Sequence, residues 1–321
     1  AVTEQAVVAQ GIFGSVQAGV GIFVAGIDGA CHAVIAVLRK SGHAKIIDAK
    51  FRTVAPEAVV AIRVAEALDV FAPSRAVRRV GRLQRGAHPA AGQLRRADRA
   101  LGRRFGLERL DDNLGADADA ITSLKVQSDA LHQGYIPYTD RPIAWHTDGY
   151  YNPPERQIHG LLLHCVQPAA EGGENELLDH EIAYIRLRDE NPAWVRALMA
   201  PDAFTIPSNT EQGQQIRPDH SGPVFSISPT DGSLHMRYSA RQRNVVWRDD
   251  ADTREAAAFL LDLFQRGDDH IYRYRLGPGE GVISNNILHR RDGFRDAPQD
   301  GAKRLIYRAR YFQRLPRPKE T

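Results

Sequence analysis

The chain has 321 residues, 43% of them apolar and 25% charged, with 42 Lys and Arg against 39 Asp and Glu for a formal net charge of +3. That composition excludes a disordered or fibrous polymer, and so small a charge dictates neither a nucleic-acid nor a membrane partner. The length fits one large domain or two modest ones, and the two cysteines, Cys31 and Cys165, form no CxxC pattern and fit a reducing, cytoplasmic setting.

Residues 6–27 carry no charge, but five glycines and two glutamines interrupt them, so they read as a buried strand pair rather than a membrane span. "HAVIAVLRKSGHAKIIDAKF" predicts a hairpin turning at Ser41 and Gly42, and "PEAVVAIRVAEALDVFA" has helical apolar spacing after a proline. Neither carries a chemical motif. Between Arg75 and Arg104, ten arginines stand against one acid, Asp98. Such a run could neutralise phosphates through Arg95, Arg96, Arg103 and Arg104, yet no aromatic residue is interleaved for base stacking. "AAGQLRRADRALGRRFG" instead reads as an amphipathic helix with a solvated basic face.

All ten tyrosines and all three tryptophans follow residue 134. "AITSLKVQ", "IAWHTD", "QIHGLLLHCVQ" and "ENELLDH" predict short strands; "EIAYIRLRDENPAWVRALM" and "DTREAAAFLLDLFQR" have helical periodicity. "PVFSISPTDGSLHMRYSA" predicts a hairpin closed by Thr230, Asp231 and Gly232, and "HIYRYRL", "GVISNNILH" and "RLIYRARYF" complete the strands. Many short strands with a few inserted helices point to a mainly β fold, a jelly roll in particular.

Residues i and i+2 of an extended chain share a face, so His146 and Asp148 in "WHTD" can reach one ion. His289, at the end of "GVISNNILH", is the best third ligand, and two histidines with one carboxylate make the facial triad of non-haem Fe(II) oxygenases. His164, inside "LLLHCV", reads as a hydrogen-bonded core residue and His159 as a surface one. Arg304 and Arg308, four apart in "KRLIYRARYF", point to one side of their strand, and a buried guanidinium there needs an anion. Two exposed arginines on an edge strand are the plainer alternative.

Taken in order, "WHTD", "EGGENELLD", "NNILH" and "RLIYR" resemble the Fe(II)/2-oxoglutarate-dependent dioxygenases of the taurine and 2,4-dichlorophenoxyacetate dioxygenase superfamily, from about Phe105 to Phe312. The resemblance implies a double-stranded β-helix core in residues 105–321, behind an N-terminal flank (1–104) that is atypical of the family. It implies Fe(II), 2-oxoglutarate and O2 as cofactor and cosubstrates, with His146, Asp148 and His289 on iron and Arg304 on the distal carboxylate of 2-oxoglutarate. Asn175 stands where the family often has a threonine for the cosubstrate. The reaction implied is oxidation, usually hydroxylation, of a substrate with release of succinate and CO2. The loop after Asp148 and residues 208–219 are expected to shield the site from water.

"YTDRPIAWHTD" with "LLLHCVQPAAEGGE" is also similar to the γ-butyrobetaine hydroxylase branch, in which a tyrosine at the place of Tyr138 helps to cage a trimethylammonium group. Arg310 stands where that branch has a further cage tyrosine, and Arg308 where taurine-type members hold the substrate's acidic group. A small acidic substrate is therefore expected, on Arg308, with Tyr138, Tyr150 and Tyr151 as wall residues. The competing readings are a jelly-roll binding protein without turnover, a betaine-type hydroxylase, a zinc hydrolase and an arginine-rich nucleic-acid binder. The expected partner is a small molecule, with no nucleic acid or membrane; a homo-oligomer stays open.

Overall fold

A computed structural model of the chain describes residues 91–113, 115–128, 135–211, 214–241, 243, 245–297, 299 and 303–316, and the backbone at 26–27, 30–31 and 60–63. The core is a pair of antiparallel sheets. Its strands, in chain order, are β1 (Val60–Arg63), β2 (Ile121–Leu124), β3 (Ile143–His146), β4 (Gly160–Gln167), β5 (Asn175–Leu178), β6 (Tyr272–Tyr274), β7 (Glu280–Ser284), β8 (Leu288–Arg291) and β9 (Leu305–Tyr311). The larger sheet runs β1-β7-β4-β9-β2 and the smaller β6-β5-β8-β3.

Period-two alternation sorts each strand between two environments. Leu161, Leu163 and Cys165 of β4 face inward with Leu177, Val282 and Ile306, forming the core between the sheets. Leu162, Tyr307, Ala309 and Tyr311 point outward, where Leu94, Ala97 and Leu101 of α1 (Ala91–Arg104) cover them. Helices α2 (His180–Glu190), α3 (Pro192–Leu198) and α4 (Ala251–Arg266) cover the smaller sheet around Trp145, Leu178 and Leu288. This is the jelly roll expected from the strand pattern.

Several expectations change in detail. The helical pattern over "EIAYIRLRDENPAWVRALM" is two helices, because Pro192 cannot continue the first and Asn191 caps the second by accepting from the Ala193 N–H at 2.9 Å. "GVISNNILH" is not one strand but two, β7 and β8, broken at Asn285 and Asn286, so that His289 is the second residue of β8 rather than a strand end. Within "PEAVVAIRVAEALDVFA", Val60–Arg63 is a strand where helical spacing pointed to a helix, since the open edge of β7 offers it a full ladder of partners. The hairpin at Asp231 and Gly232 forms as expected, pairing Phe225–Ile227 with Leu234–Met236. Gly26–Ile27 pairs with Ala30–Cys31; the rest of residues 6–27 and the hairpin at Ser41 and Gly42 lie outside the described residues. No helix among the described residues is long and apolar enough to cross a membrane.

The basic face of α1 is only partly solvated. Arg95 binds Asp117 and Asp119, with its guanidinium 4.6 Å from the Tyr307 ring centroid. On the buried face Asp98 stands 2.9 Å from His164, both fully enclosed, which gives His164 the core role expected of it. Burial pushes the Asp98 carboxyl upward, against the opposing pull of His164.

The last strand is pinned to the rest by Arg310. It is 1% exposed, is paired with the equally buried Asp111 and donates to the Tyr151 hydroxyl at 2.8 Å. Asp111 also accepts from Arg156 at 2.8 Å. Removing one member of a buried pair leaves an uncompensated charge, whereas replacing both with apolar groups of similar volume is far milder. Asp111→Ala is therefore expected to destabilise the fold by about 3–5 kcal/mol in urea titrations, and Asp111→Leu with Arg310→Met to recover most of that loss.

Candidate functional site

His146 and His289 are register partners across β3 and β8, with ring centroids 4.3 Å apart. An irregularity in that pairing lies between His289 and Arg291, and such bulges often sit beside active sites. Asp148 joins them from the turn after β3, and one ligand atom from each of the three lies within 4.8 Å of the others. Gly149 makes that turn possible: its φ is +66°, and a Cβ there would stand 2.5 Å from Ile158 Cγ1.

The donor set suits a metal ion. His146 Nδ1 is 2.9 Å from the Ala144 carbonyl and His289 Nδ1 is 2.9 Å from the Ile287 carbonyl. Donation to those carbonyls fixes the proton on Nδ1 and leaves each Nε2 lone pair free. Burial, with His289 alongside, pulls the His146 imidazole down to about 3, so both rings are neutral ligands near neutral pH. Burial alone would raise the Asp148 carboxyl, but Arg308, His289 and Arg310 outweigh it and hold the group well below the usual carboxylate range. Its Oδ1 accepts from Arg308 at 3.1 Å, while Oδ2 is buried without a hydrogen-bond partner.

Asn286 is a site residue that the sequence reading quoted without giving it a role. Its side chain accepts from the Asp148 N–H at 2.8 Å and donates to the Asp148 carbonyl at 2.9 Å and the Ile158 carbonyl at 2.7 Å. Its φ of +53° is a conformation that asparagine tolerates better than most residues, and the "NN" doublet was the available signal. Arg291 was missed as well. Buried at 4% exposure, it donates to the carbonyls of Thr139 and Arg141, fastening the approach to β3.

Arg304 and Arg308 both face the interior, and their strand is not an edge but lies between β4 and β2. Arg304 lines a small pocket with Cys165, Gly172, Gly173 and Asn175 and lies 5.0 Å from the Phe294 ring centroid. Its Nη1 is buried without a partner, and burial pulls the guanidinium down to about 10. Gly172 (φ +69°) lets the chain pass there, since a Cβ would meet the Gly293 carbonyl at 2.4 Å. Asn175 opens β5 opposite Arg291 and Tyr274.

The tyrosines separate by role. Tyr138 is buried in the core between the sheets, its hydroxyl 3.3 Å from the Gly115 carbonyl. Tyr150 and Tyr151 pack edge to face at 5.3 Å, and Tyr151 is held by Arg310. Part of the expected shield, residues 208–219, forms a hairpin of Asn209–Glu211 with Gln214–Arg217.

A family model described as "Taurine catabolism dioxygenase TauD, TfdA family" matches residues 85–310. A curated relative, uridine-5'-phosphate dioxygenase from a Streptomyces species, is 28% identical over 207 residues, which span 63% of this chain and 72% of that protein. Among solved structures, the non-heme iron oxygenase OrfP in complex with Fe and alpha-ketoglutaric acid matches with a TM-score of 0.50 at 17% identity, over 79% of this chain and 74% of that one. OrfP in complex with Fe, succinate and (3R,4R)-dihydroxy-L-Arg gives 0.50 at 16%, over 79% and 75%. These structural likenesses show the fold.

Asn286 tests how the site is held. Asn286→Ala removes both bonds to the Asp148 backbone while leaving all three ligands in the chain. Anaerobic Fe(II) titration is expected to give affinity lowered roughly 10–100-fold, the usual effect of losing a group that orients a metal ligand.

Proposed function

The chain belongs to the taurine catabolism dioxygenase TauD, TfdA family, and on that premise we propose that His146, Asp148 and His289 hold its Fe(II) and that Arg304 takes the distal carboxylate of 2-oxoglutarate. The protein is an Fe(II)- and 2-oxoglutarate-dependent dioxygenase that uses O2 and a small-molecule substrate. The observation carrying the assignment is the convergence of the buried, unpartnered Asp148 Oδ2 with His146 and His289, each held at Nδ1 by a backbone carbonyl.

Bound Fe(II) would supply the activation of O2, with oxidative decarboxylation of 2-oxoglutarate to succinate and CO2 and insertion of oxygen at a substrate C–H bond. The chain's part is placement. Arg304, whose guanidinium forms no ion pair among the described residues, fixes the far end of the cosubstrate, and Asn175 lines the same pocket. Arg308 divides its guanidinium: Nη1 steadies Asp148 Oδ1, while its buried Nε is unpartnered and available to an acidic group of the substrate. Tyr138, Tyr150 and Tyr151 wall the space and exclude water.

An acidic substrate fits this pocket better than a betaine. Arg310, where the betaine-type branch has a tyrosine, is charged and locked to Asp111, and Arg308 adds a second cation near Tyr138. We also take the catalytic unit to include α1 rather than to begin at Phe105, because α1 shares a core with β4, β7 and β9.

The experiment is anaerobic titration of the apoprotein with Fe(II) and 2-oxoglutarate, followed by the visible charge-transfer band of their chelate. The band is expected in the native protein and not in His146→Ala; a native protein without it would sink the assignment. Arg304→Gln is expected to raise the 2-oxoglutarate concentration needed for half-saturation by roughly tenfold or more, the scale of a hydrogen bond to a charged group. Arg308→Gln also loses the bond to Asp148 Oδ1, so at saturating Fe(II) it should leave half-saturation by 2-oxoglutarate unchanged and weaken the substrate instead, and the two variants separate the two anion positions.

A further inference from the structure

The pocket that Arg304 lines holds a second cation that the reading above leaves unused. Arg275 lines it too, and the described residues around it include no Asp or Glu. The two arginines come from different sheets. Arg304 leads into β9 of the larger sheet, whereas Arg275 follows β6 of the smaller one, whose last residue, Tyr274, is the register partner of the pocket residue Asn175. Pro168 and Ala169, just past the end of β4, line the same pocket.

The Arg275 side chain is laid against that run of chain. Its Nη2 donates to the Ala169 carbonyl at 2.7 Å and the Ala170 carbonyl at 3.0 Å. Those bonds engage one nitrogen of a fork of donors, and they hold the guanidinium in place without neutralising it. Arg275 is exposed and forms no ion pair among the described residues. The acids close by are engaged elsewhere. Glu280 accepts from the Tyr274 hydroxyl at 2.9 Å and the Gly277 N–H at 2.8 Å, Asp296 accepts from the Arg304 backbone N–H at 2.9 Å, and Glu171 pairs with Arg295. Arg304 itself is 5% exposed with its Nη1 unpartnered. Two guanidiniums lining one small pocket without a carboxylate leave a positive charge that an incoming anion relieves.

We propose that Arg275 is a second anchor for the distal carboxylate of 2-oxoglutarate, holding it from the solvent side while Arg304 holds it from the buried side. The proposal rests on the reading of Arg304 as the residue that takes that carboxylate. A carboxylate has about four lone-pair sites, enough for Arg304 and for a donor from the other sheet. The exposed guanidinium is screened by salt, so its share is smaller than that of Arg304 and falls as ionic strength rises. Arg275 thereby helps to select the cosubstrate, favouring a 2-oxo acid that ends in a second carboxylate over one that ends in a methyl group.

The test is anaerobic titration of the Fe(II)-loaded protein with 2-oxoglutarate and, separately, with 2-oxovalerate, which has the same chain length but lacks the distal carboxylate, each followed by the chelate band. At low salt Arg275→Gln is expected to raise the half-saturating concentration of 2-oxoglutarate roughly threefold or more and to leave that of 2-oxovalerate within about twofold, with Arg275→Lys recovering most of the loss. An equal shift for both acids would make Arg275 a brace for the chain at Ala169 and Ala170, and no shift for either would make it a surface residue; each result overturns the proposal. Arg304→Gln separates the two levels: if it weakens 2-oxoglutarate while Arg275→Gln does not, the second anchor alone fails, and if Arg304→Gln is itself without effect, the distal-carboxylate reading fails. Should the native protein give no band, the iron assignment falls separately, and calorimetric titration of the metal-free protein with glutarate decides the pocket. Binding weakened in both Arg304→Gln and Arg275→Gln supports the pair, and binding that is absent or indifferent to Arg275→Gln overturns it.

Discussion

One strand carries more charge into the interior than the protein could bury without specific answers. Along β9 and the residue before it, alternation sends Leu305, Tyr307, Ala309 and Tyr311 toward α1 and turns Arg304, Ile306, Arg308 and Arg310 inward. A guanidinium cannot escape its charge by losing a proton, so each arginine needs an anion or a donor-accepting shell. The three meet that need differently. Arg310 has a permanent partner in Asp111, Arg308 leans on Asp148, and the Arg304 guanidinium forms no ion pair among the described residues, Asp296 accepting only from its backbone N–H. Along a few residues of chain the requirement is met by a buried pair in the fold, then by a contact within the site, and at Arg304 by no ion pair among the described residues.

Asp148 is where those demands meet. Its backbone is gripped by Asn286, its Oδ1 by Arg308, and its position in the turn is set by the positive φ of Gly149. Asn286 sits in the break between β7 and β8, where the chain leaves the larger sheet and enters the smaller one. The crossover that builds the jelly roll therefore also places the carboxylate opposite the two imidazoles. Architecture and ligand geometry depend on the same residue.

Much of this was legible because short-range physics carries it. The apolar run in "QIHGLLLHCVQ" and the alternation in "RLIYRARYF" pointed to strands that form at Gly160–Gln167 and Leu305–Tyr311, and the i, i+2 rule joined His146 to Asp148. His289 needed the ordered set of motifs, since nothing local ties it to a residue 143 positions earlier. What stayed hidden is long-range. The Asp111–Arg310 pair spans 199 residues, and nothing local to Asp111 marks it as the partner of Arg310. Val60–Arg63 adopts a strand because of the edge it meets rather than its own apolar spacing. The breaks at Pro192 and Asn286 were not anticipated, because where each regular element ends depends on capping and on hydrogen bonds to distant backbone.

The division of labour has a consequence for specificity. His146 and His289 stand on paired strands of the smaller sheet, where rigid elements hold geometry closely. Tyr150 and Tyr151 come instead from the loop that follows Asp148, and Arg217 ends a two-stranded hairpin. Segments of that kind tolerate substitution more readily than paired strands do. Arg310 is the exception, because it fixes the Tyr151 hydroxyl from within the buried pair with Asp111. Tyr151 is thereby tied to the stability of the core.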